Sequence, residues 1–402
     1  MKRDSRAVLG VLAIVGAALS GCSGHGEHTS ATLTAATERM AAFKSGVEWD
    51  MARQQFLAGD LEKALRTVDK SIALNGSVAR SHTLRGRILM EQGRLEAARE
   101  SFATARAIDP SFVEAHYYEG VALERLSDID GALERYLAAA DLDGDNPQHL
   151  IAAADMLIEQ RRPDDAERML RSRLARLPHN PGIRQTLGHI ATLRGETDRA
   201  ADLLDEARLL APDDLTILEE LARAQVEAQR YGEAEFNLSR VIAADKARAR
   251  RDLQHLRARC LVALNRPLEA RDVLLGLTRD AEGAADVAAW SDLGRVALKL
   301  KDPARVRIAA GRIAALSPAS TDATLLLALL QREQGNLGGA LALLDAAAAE
   351  HPGDPAVWKA RGLILKELGR SGDAADSLAR ALALSPGDAQ ASSMLTAVRE
   401  SE

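Results

Sequence analysis

The sequence predicts an all-α solenoid of about ten helical hairpins, and three columns of residues predict it. The first is a column of small residues 34 apart: Ala64, Ala98, Ala132, Ala166, Ala200 and Ala234. Ala270 and Val306 each arrive two residues late, and Ala340 and Ala374 return to step. The second lies twelve residues upstream and is Gly or Ala throughout: Ala52, Gly86, Gly120, Ala154, Gly188, Ala222, Ala258, Gly294, Ala328 and Gly362. The third is a recurrent proline at Pro110, Pro178, Pro212, Pro318, Pro352 and Pro386. Small residues at fixed intervals mark places where helices approach closely. Proline keeps a helix from running on into the next turn. A hairpin of this size cannot bury its apolar face alone, so each copy needs a neighbour.

The chain opens on a leader. Residues 1–21 carry Lys2, Arg3 and Arg6, then an apolar run from Ala7 to Leu19. The run has the length of a signal-peptide core and is too short for a comfortable membrane span. It ends in Leu19-Ser20-Gly21-Cys22, which resembles the bacterial lipoprotein box. The resemblance implies cleavage before Cys22 and acylation of its sulfur, and several acyl chains hold a protein on a bilayer stably. Ser23 is, by the same resemblance, permissive for the outer membrane, with the inner membrane the other destination. Residues 22–31 then read as a polar tether, in which His25 and His28 are solvated. Residues 32–44 read as a helix with Leu33, Ala36, Met40 and Phe43 on one face, expected to cap the open end of the first hairpin.

Ten hairpins are expected over residues 45–388. In 81–110 the first helix carries Leu84, Gly86, Ile88 and Leu89, and the turn is Gln92-Gly93. The second helix carries Leu95, Ala98, Phe102, Ala105 and Ile108. The apolar spacing is helical in both halves, bounded by Gly and Pro. The two late steps fall at Lys246–Asp252, a short basic run, and at Asp280–Asp286, and these are the expected places of flexure. Residues 389–402 read as a closing helix with Met394, Leu395 and Val398 inside.

The pattern resembles the tetratricopeptide repeat family. Trp290, Leu293, Gly294 and Pro318 match its motif in the eighth copy, and Trp358, Gly362, Ala374 and Pro386 in the tenth. Three features depart from it. Leu89, Leu123, Leu157 and Leu365 stand where the family has tyrosine. Val306 replaces an alanine, and the sixth copy ends in Asp245-Lys246 without proline. The resemblance implies a right-handed superhelix whose first helices line a concave groove for protein partners.

Composition agrees with close-packed helices. Aromatic residues make up only 3% of the chain, so the core must be built on Leu and Ala. A net charge of −6, with no broad basic excess, gives no footprint for nucleic acid. Two cysteines, Cys22 and Cys260, make neither a disulfide framework nor a four-ligand zinc site. No phosphate-binding glycine loop, His-Glu-x-x-His or Gly-x-Ser-x-Gly occurs, so no enzyme, metal or cofactor is expected. Cys260 lies five residues after His255, poor spacing for one helical face, and reads as a buried thiol.

The informative surface is the groove. The residue after each member of the Gly/Ala column should face it: Arg53, Arg87, Val121, Asp155, His189, Arg223, Arg259, Arg295, Leu329 and Leu363. Arg223, Arg259 and Arg295 are expected to form a ladder, with Glu219 and Glu220 as the nearest neutralising groups. Trp49 and Tyr117 are the aromatic candidates near the N-terminus. The reading is a membrane-anchored, non-enzymatic scaffold for envelope or secretion-machinery proteins, assisting assembly of a pilus, secretion channel or exopolysaccharide exporter. Two alternatives stay open: a periplasmic binder of anionic glycan, and an envelope enzyme with an unrecognised site. The anchor has a direct test. Cys22→Ala should abolish incorporation of a clickable fatty acid and leave an uncleaved precursor; equal labelling of both proteins removes the anchor.

Overall fold

The computed structural model describes residues 27–244 and 250–400. The expected leader, Cys22, His25 and the first part of the basic run 246–252 lie outside the described residues. Among the described residues all regular structure is helical. The chain divides into two units, residues 1–190 and 191–402.

In the first unit, α1 (Glu27–Leu57) packs on α2 (Leu61–Leu74). Hairpins follow as α3 (Ala79–Glu91) with α4 (Leu95–Ile108), α5 (Val113–Arg125) with α6 (Ile129–Leu142), and α7 (Pro147–Glu159) with α8 (Pro163–Leu174). The unit ends within α9 (Pro181–Leu193). In the second, α10 (Thr197–Leu210) leads to α11 (Leu215–Glu227) with α12 (Tyr231–Ala244) and α13 (Arg251–Ala263) with α14 (Pro267–Leu277). A single turn, α15 (Ala281–Ala284), occupies the second late step. Then come α16 (Val287–Lys299) with α17 (Pro303–Leu316), α18 (Asp322–Glu333) with α19 (Leu337–Glu350), α20 (Pro355–Glu367) with α21 (Ser371–Leu384), and α22 (Ala389–Arg399).

One expectation needs correction. The helix expected over residues 32–44 is not a separate cap: α1 begins inside the expected tether and runs unbroken into the first hairpin. Nothing in Thr34–Trp49 breaks a helix except Gly46, and one glycine is tolerated there. The face meant to cover the hairpin points outward, with Leu33, Met40 and Phe43 all exposed. Ser45 holds the other side of α1: its Oγ donates to the Ser71 carbonyl at 2.9 Å, and Ser71 Oγ donates back to the Ser45 carbonyl at 2.9 Å.

Local chemistry sets the ends of the helices. Asn146 Oδ1 accepts the Gln148 amide and Asp354 Oδ1 the Ala356 amide, each followed by proline at the first helical position. Second helices stop two residues before Pro110, Pro212, Pro318, Pro352 and Pro386. Between the helices of each hairpin stands one left-handed residue: Gly59, Gly93, Ser127, Arg161, Gly195, Gln229, Asn265, Lys301, Gly335 and Gly369. Their φ runs from 54° at Lys301 to 82° at Gly59. Glycine adopts this without strain, whereas other residues bear about 1–2 kcal/mol.

The core is a string of local clusters. Both small columns are buried, from Ala52 and Ala64 to Gly362 and Ala374, with Gly188 and Ala200 also inside. A large residue on the second helix fills the space that each small one leaves. A Cβ on Gly86 would meet the Phe102 ring at 2.5 Å, and one on Gly120 the Tyr136 ring at 2.7 Å. At Gly362 the obstacle is Leu378 Cγ, at 2.7 Å. Gly294 differs, because the large residue there comes from the next hairpin: Leu326 Cδ1 stands 2.5 Å from the added Cβ. Two arginines repeat one bracket in both units. Arg85 donates to Asp69 at 2.9 Å and to Ser101 at 2.7 Å; Arg361 donates to Asp345 at 2.7 Å and to Ser377 at 2.6 Å. Each ties its helix to its own second helix and to the one before.

A pair of glycine substitutions tests this packing. Gly86→Ala should cost about 1–3 kcal/mol by overpacking, and Phe102→Leu in the same chain should recover most of it. Gly311→Ala, on α17 with nothing within 4 Å of the added carbon, should stabilise by about 0.5–1 kcal/mol. Denaturant unfolding reads both; equal effects at the two glycines would refute the close approach.

Candidate partner-binding surface

The residues that follow the Gly/Ala column in the second unit sit on successive first helices. They do not form the uniform ladder expected. Arg223 on α11 is neutralised: its guanidinium donates to Glu219 Oε1 at 3.0 Å and to Asp252 Oδ2 at 2.5 Å. Glu219 is the partner expected from the sequence, but the second carboxylate is Asp252, carried in by the start of α13. Arg250 also reaches Glu219, at 2.7 Å. Burial favours the neutral Glu219 carboxyl, but hydrogen bonds from Arg250 and Arg223 outweigh it and hold its pKa below the ordinary range.

Arg259 and Arg295 stand differently. Both line a cavity of about 610 Å³ between α13 and α16, together with Val262, Asp292 and Lys299. Arg259 has no acidic partner among the described residues. Arg295 has, among the described residues, one acidic partner, Asp292 at 3.4 Å, and His255 Nδ1 lies 3.5 Å from that same residue. Lys299 Nζ donates, among the described residues, to the Val262 carbonyl alone, at 3.4 Å. The cavity therefore holds three cationic side chains and one carboxylate. Lys299 was missed in the sequence, although it lies four residues after Arg295 and so on the same helical face. A second cavity of about 530 Å³ continues from Arg295 along α18 and α20, past Leu329, Leu363 and Met394. Its Lys359 is bound to Asp388 at 2.7 Å, so it adds no free charge.

The basic run 246–252 gives no open anion contact in its described part. Arg251 donates to the Leu277 carbonyl at 2.9 Å and to Asp286 at 3.1 Å, and Asp286 also accepts from His255 at 3.0 Å. Burial opposes the charged Asp286, yet the Ala289 amide, His255 and Arg251 together hold its carboxyl at about 2. This web ties α13 to the start of α16 across the second late step. Cys260 is buried, and burial pushes its thiol up to about 11, which suits packing rather than attack.

The candidates of the first unit are engaged with one another. Arg87 lies over the Tyr118 ring at 4.5 Å and the Phe56 ring at 5.1 Å. Trp49 is covered by Arg80 at 4.7 Å and Arg53 at 5.9 Å, and its Nε1 donates to the Arg80 carbonyl at 3.2 Å. Tyr117 packs edge-on against Tyr118 at 5.3 Å and tilted against Tyr136 at 5.7 Å and His149 at 5.1 Å. These are aromatic–guanidinium contacts at Trp49 and Tyr118 and aromatic–aromatic ones at Tyr117, not open aromatic anchors. His189 is exposed. Asp155 on α7 is also exposed at its surface, but neighbouring protein desolvates its carboxyl in part. That desolvation pushes its carboxyl up to about 6, against the pull of His189 and helped by Glu124.

The Asp155 shift makes a prediction with a definite sign. A carboxyl whose folded pKa lies above its ordinary 3.8 binds its proton more tightly when folded. Stability is then lost as pH rises from about 4 to about 6, and the loss is complete above that window. Asp155→Asn should raise the melting temperature at pH 8, and the gain should shrink to nothing as pH falls toward 4. A gain independent of pH would show that the shift is absent.

Comparison with known proteins places the repeats. Models of the tetratricopeptide repeat match residues 50–111, 83–147, 304–355 and 325–389, and a second model of the same repeat matches 157–219. Together they span more than half of the chain. No curated protein matches by sequence. Solved structures match at the level of fold. One is a tetratricopeptide repeat protein from Parabacteroides merdae ATCC 43184, 15% identical, covering 63% of this chain and 98% of that one, with TM-score 0.41. Another is the APC/C hetero-tetramer Cut9–Hcn1, 13% identical, covering 92% and 94%, with TM-score 0.40. A third is a thermophilic tetratricopeptide protein from Thermus thermophilus, 21% identical, covering 45% and 99%, with TM-score 0.37. At these scores the likeness is to the repeat and carries nothing about role.

Proposed function

The chain belongs to the tetratricopeptide repeat family, whose repeats present surfaces for protein partners, and from that premise we propose that it is a membrane-anchored, non-enzymatic scaffold of a bacterial envelope. Cys22 is the anchored residue in this reading, and the outer membrane its destination. The partners are envelope or secretion-machinery proteins, of the kind that assemble a pilus, a secretion channel or an exopolysaccharide exporter. One observation carries the choice of surface: the cavity between α13 and α16, where Arg259 has no acidic partner among the described residues and Arg295 and Lys299 stand beside it. Guanidinium groups bind carboxylates with paired hydrogen bonds, so the surface suits an extended acidic segment of a partner protein. Apolar side chains along α18 and α20, Leu329 and Leu363 among them, supply the area that a few charges lack.

A carboxylated glycan would answer to the same cations, and this second reading is tested alongside. Arg259→Glu with Arg295→Glu should weaken capture of envelope partners in a crosslinking pull-down about tenfold or more, equivalent to about 1.4 kcal/mol. Helicity should be unchanged and the salt sensitivity of capture lost. Undiminished capture by the folded double variant would exclude this cavity. Saturable displacement of the partner by an acidic oligosaccharide would favour the glycan.

A further inference from the structure

The outward face of α1 is an exposed apolar feature that the scaffold reading leaves unused. Leu33, Met40, Phe43, Val47 and Met51 are 58%, 55%, 70%, 45% and 46% exposed. At 100° per residue they fall within an arc of about 80°, and from Leu33 to Met51 the helix rises about 27 Å. The opposite side carries Ser45, Ala52 and Trp49 and packs on the first hairpin. The stripe is thus not a misplaced core face, since α1 already has one.

Its occupant follows from chain length. Four residues, 23–26, separate Cys22 from the first residue of α1. Fully extended, five steps of chain span at most about 18 Å. If Cys22 carries acyl chains in a bilayer, the start of α1 cannot leave the neighbourhood of the headgroups, which take up about 5–8 Å on each side of the hydrocarbon. A long helix held at one end by so short a tether lies on the surface or stands away from it. Five exposed large side chains on one face favour lying down. The helix cannot cross instead, because no helix among the described residues is long and apolar enough to span a membrane. The charged residues around the stripe are balanced, with Glu38, Glu48 and Asp50 against Arg39, Lys44 and Arg53. The helix has no excess of cations there, so the attraction is apolar insertion rather than pairing with anionic lipid.

We propose that the Leu33–Met51 face of α1 is a lipid-surface contact, which lays the first helix on the membrane to which Cys22 anchors the chain. This rests on the reading of Cys22 as the anchored residue. A second copy of the chain is the competing occupant, since Leu33, Met40 and Val47 recur every seven residues with Ala36 and Phe43 between them. Asp50 ends that pattern after two repeats, too few for a stable helix pair.

The test keeps the two readings apart by supplying the anchor chemically. The chain from Cys22 onward is coupled at that residue to a maleimide lipid in phosphatidylethanolamine–phosphatidylglycerol vesicles; Cys260, being buried, stays unlabelled. A fluorescent amino acid replaces Phe43 in one sample and Glu38, exposed on the opposite side of the helix, in another. Position 43 should shift to the blue on tethering and be quenched by brominated acyl chains. Position 38 should do neither, and Met40→Glu should abolish the response at 43. Water-like emission at 43 in the tethered chain overturns the proposal. So does a blue shift at 43 without vesicles that grows with protein concentration and accompanies a dimer in sedimentation, which assigns the face to a second copy. Absence of acylation at Cys22 in cells is read separately, by fatty-acid labelling, and bears on the anchor rather than on the face.

Discussion

The structure depends on how closely two helices of a hairpin can approach. At Gly86 and Gly120 there is no room for a single added carbon, because the Phe102 and Tyr136 rings already occupy the space. Removing side-chain volume on the first helix lets a large residue on the second reach the backbone, and dispersion contacts accumulate there. Everything else follows that spacing: the turn between the helices, the proline that ends the second one, and the direction in which the remaining side chains point. The exchange at Gly294 shows that volume matters more than position. Where the second helix offers Ala309 instead of a ring, Leu326 of the next hairpin enters from the other side.

This dependence explains how much the sequence reveals. Small residues in register are visible because a solenoid repeats one constraint many times, so the hairpins, their turns and the final helix could be read from spacing alone. The filling column, Phe102, Tyr136, Leu170 and Leu378, was harder to see because its size varies while its burial does not. The fate of α1 was not legible. Leu33, Met40 and Phe43 have the spacing of a packed face, and periodicity reports that a face is apolar without reporting what covers it. The left-handed column was legible at Gly93 and its glycine equivalents and at Asn265, a type that tolerates the left-handed region, and hidden at Ser127, Arg161, Gln229 and Lys301, whose types do not announce a positive φ.

The arginines show the same limit for charge. Arg257 and Arg259 are two residues apart on one helix and have opposite fates. Arg257 turns back to Glu235 at 2.8 Å, while Arg259 opens into the cavity. Arg85 and Arg87 divide likewise: Arg85 brackets second helices through Asp69 and Ser101, and Arg87 covers aromatic rings. A row chosen by its distance from the Gly/Ala column finds two residues, Arg259 and Arg295, that line one cavity. It does not find every carboxylate, because some arrive from other hairpins, as Asp252 does for Arg223. Net charge of a groove is a property of neighbours, and sequence spacing within one helix does not contain it.

The column of left-handed turn residues gives the array links of unequal strength. Glycine holds the turn free of strain at residues 59, 93, 195, 335 and 369, while five bulkier residues hold the same angle at a cost. In a protein with one central core those costs would merge into a single melting transition. Here each hairpin leans on its neighbours, so the cost stays where it arises. Heat or tension would part such a chain at a link, first around 127–161 in one unit and 229–301 in the other, while the glycine-turned ends still held.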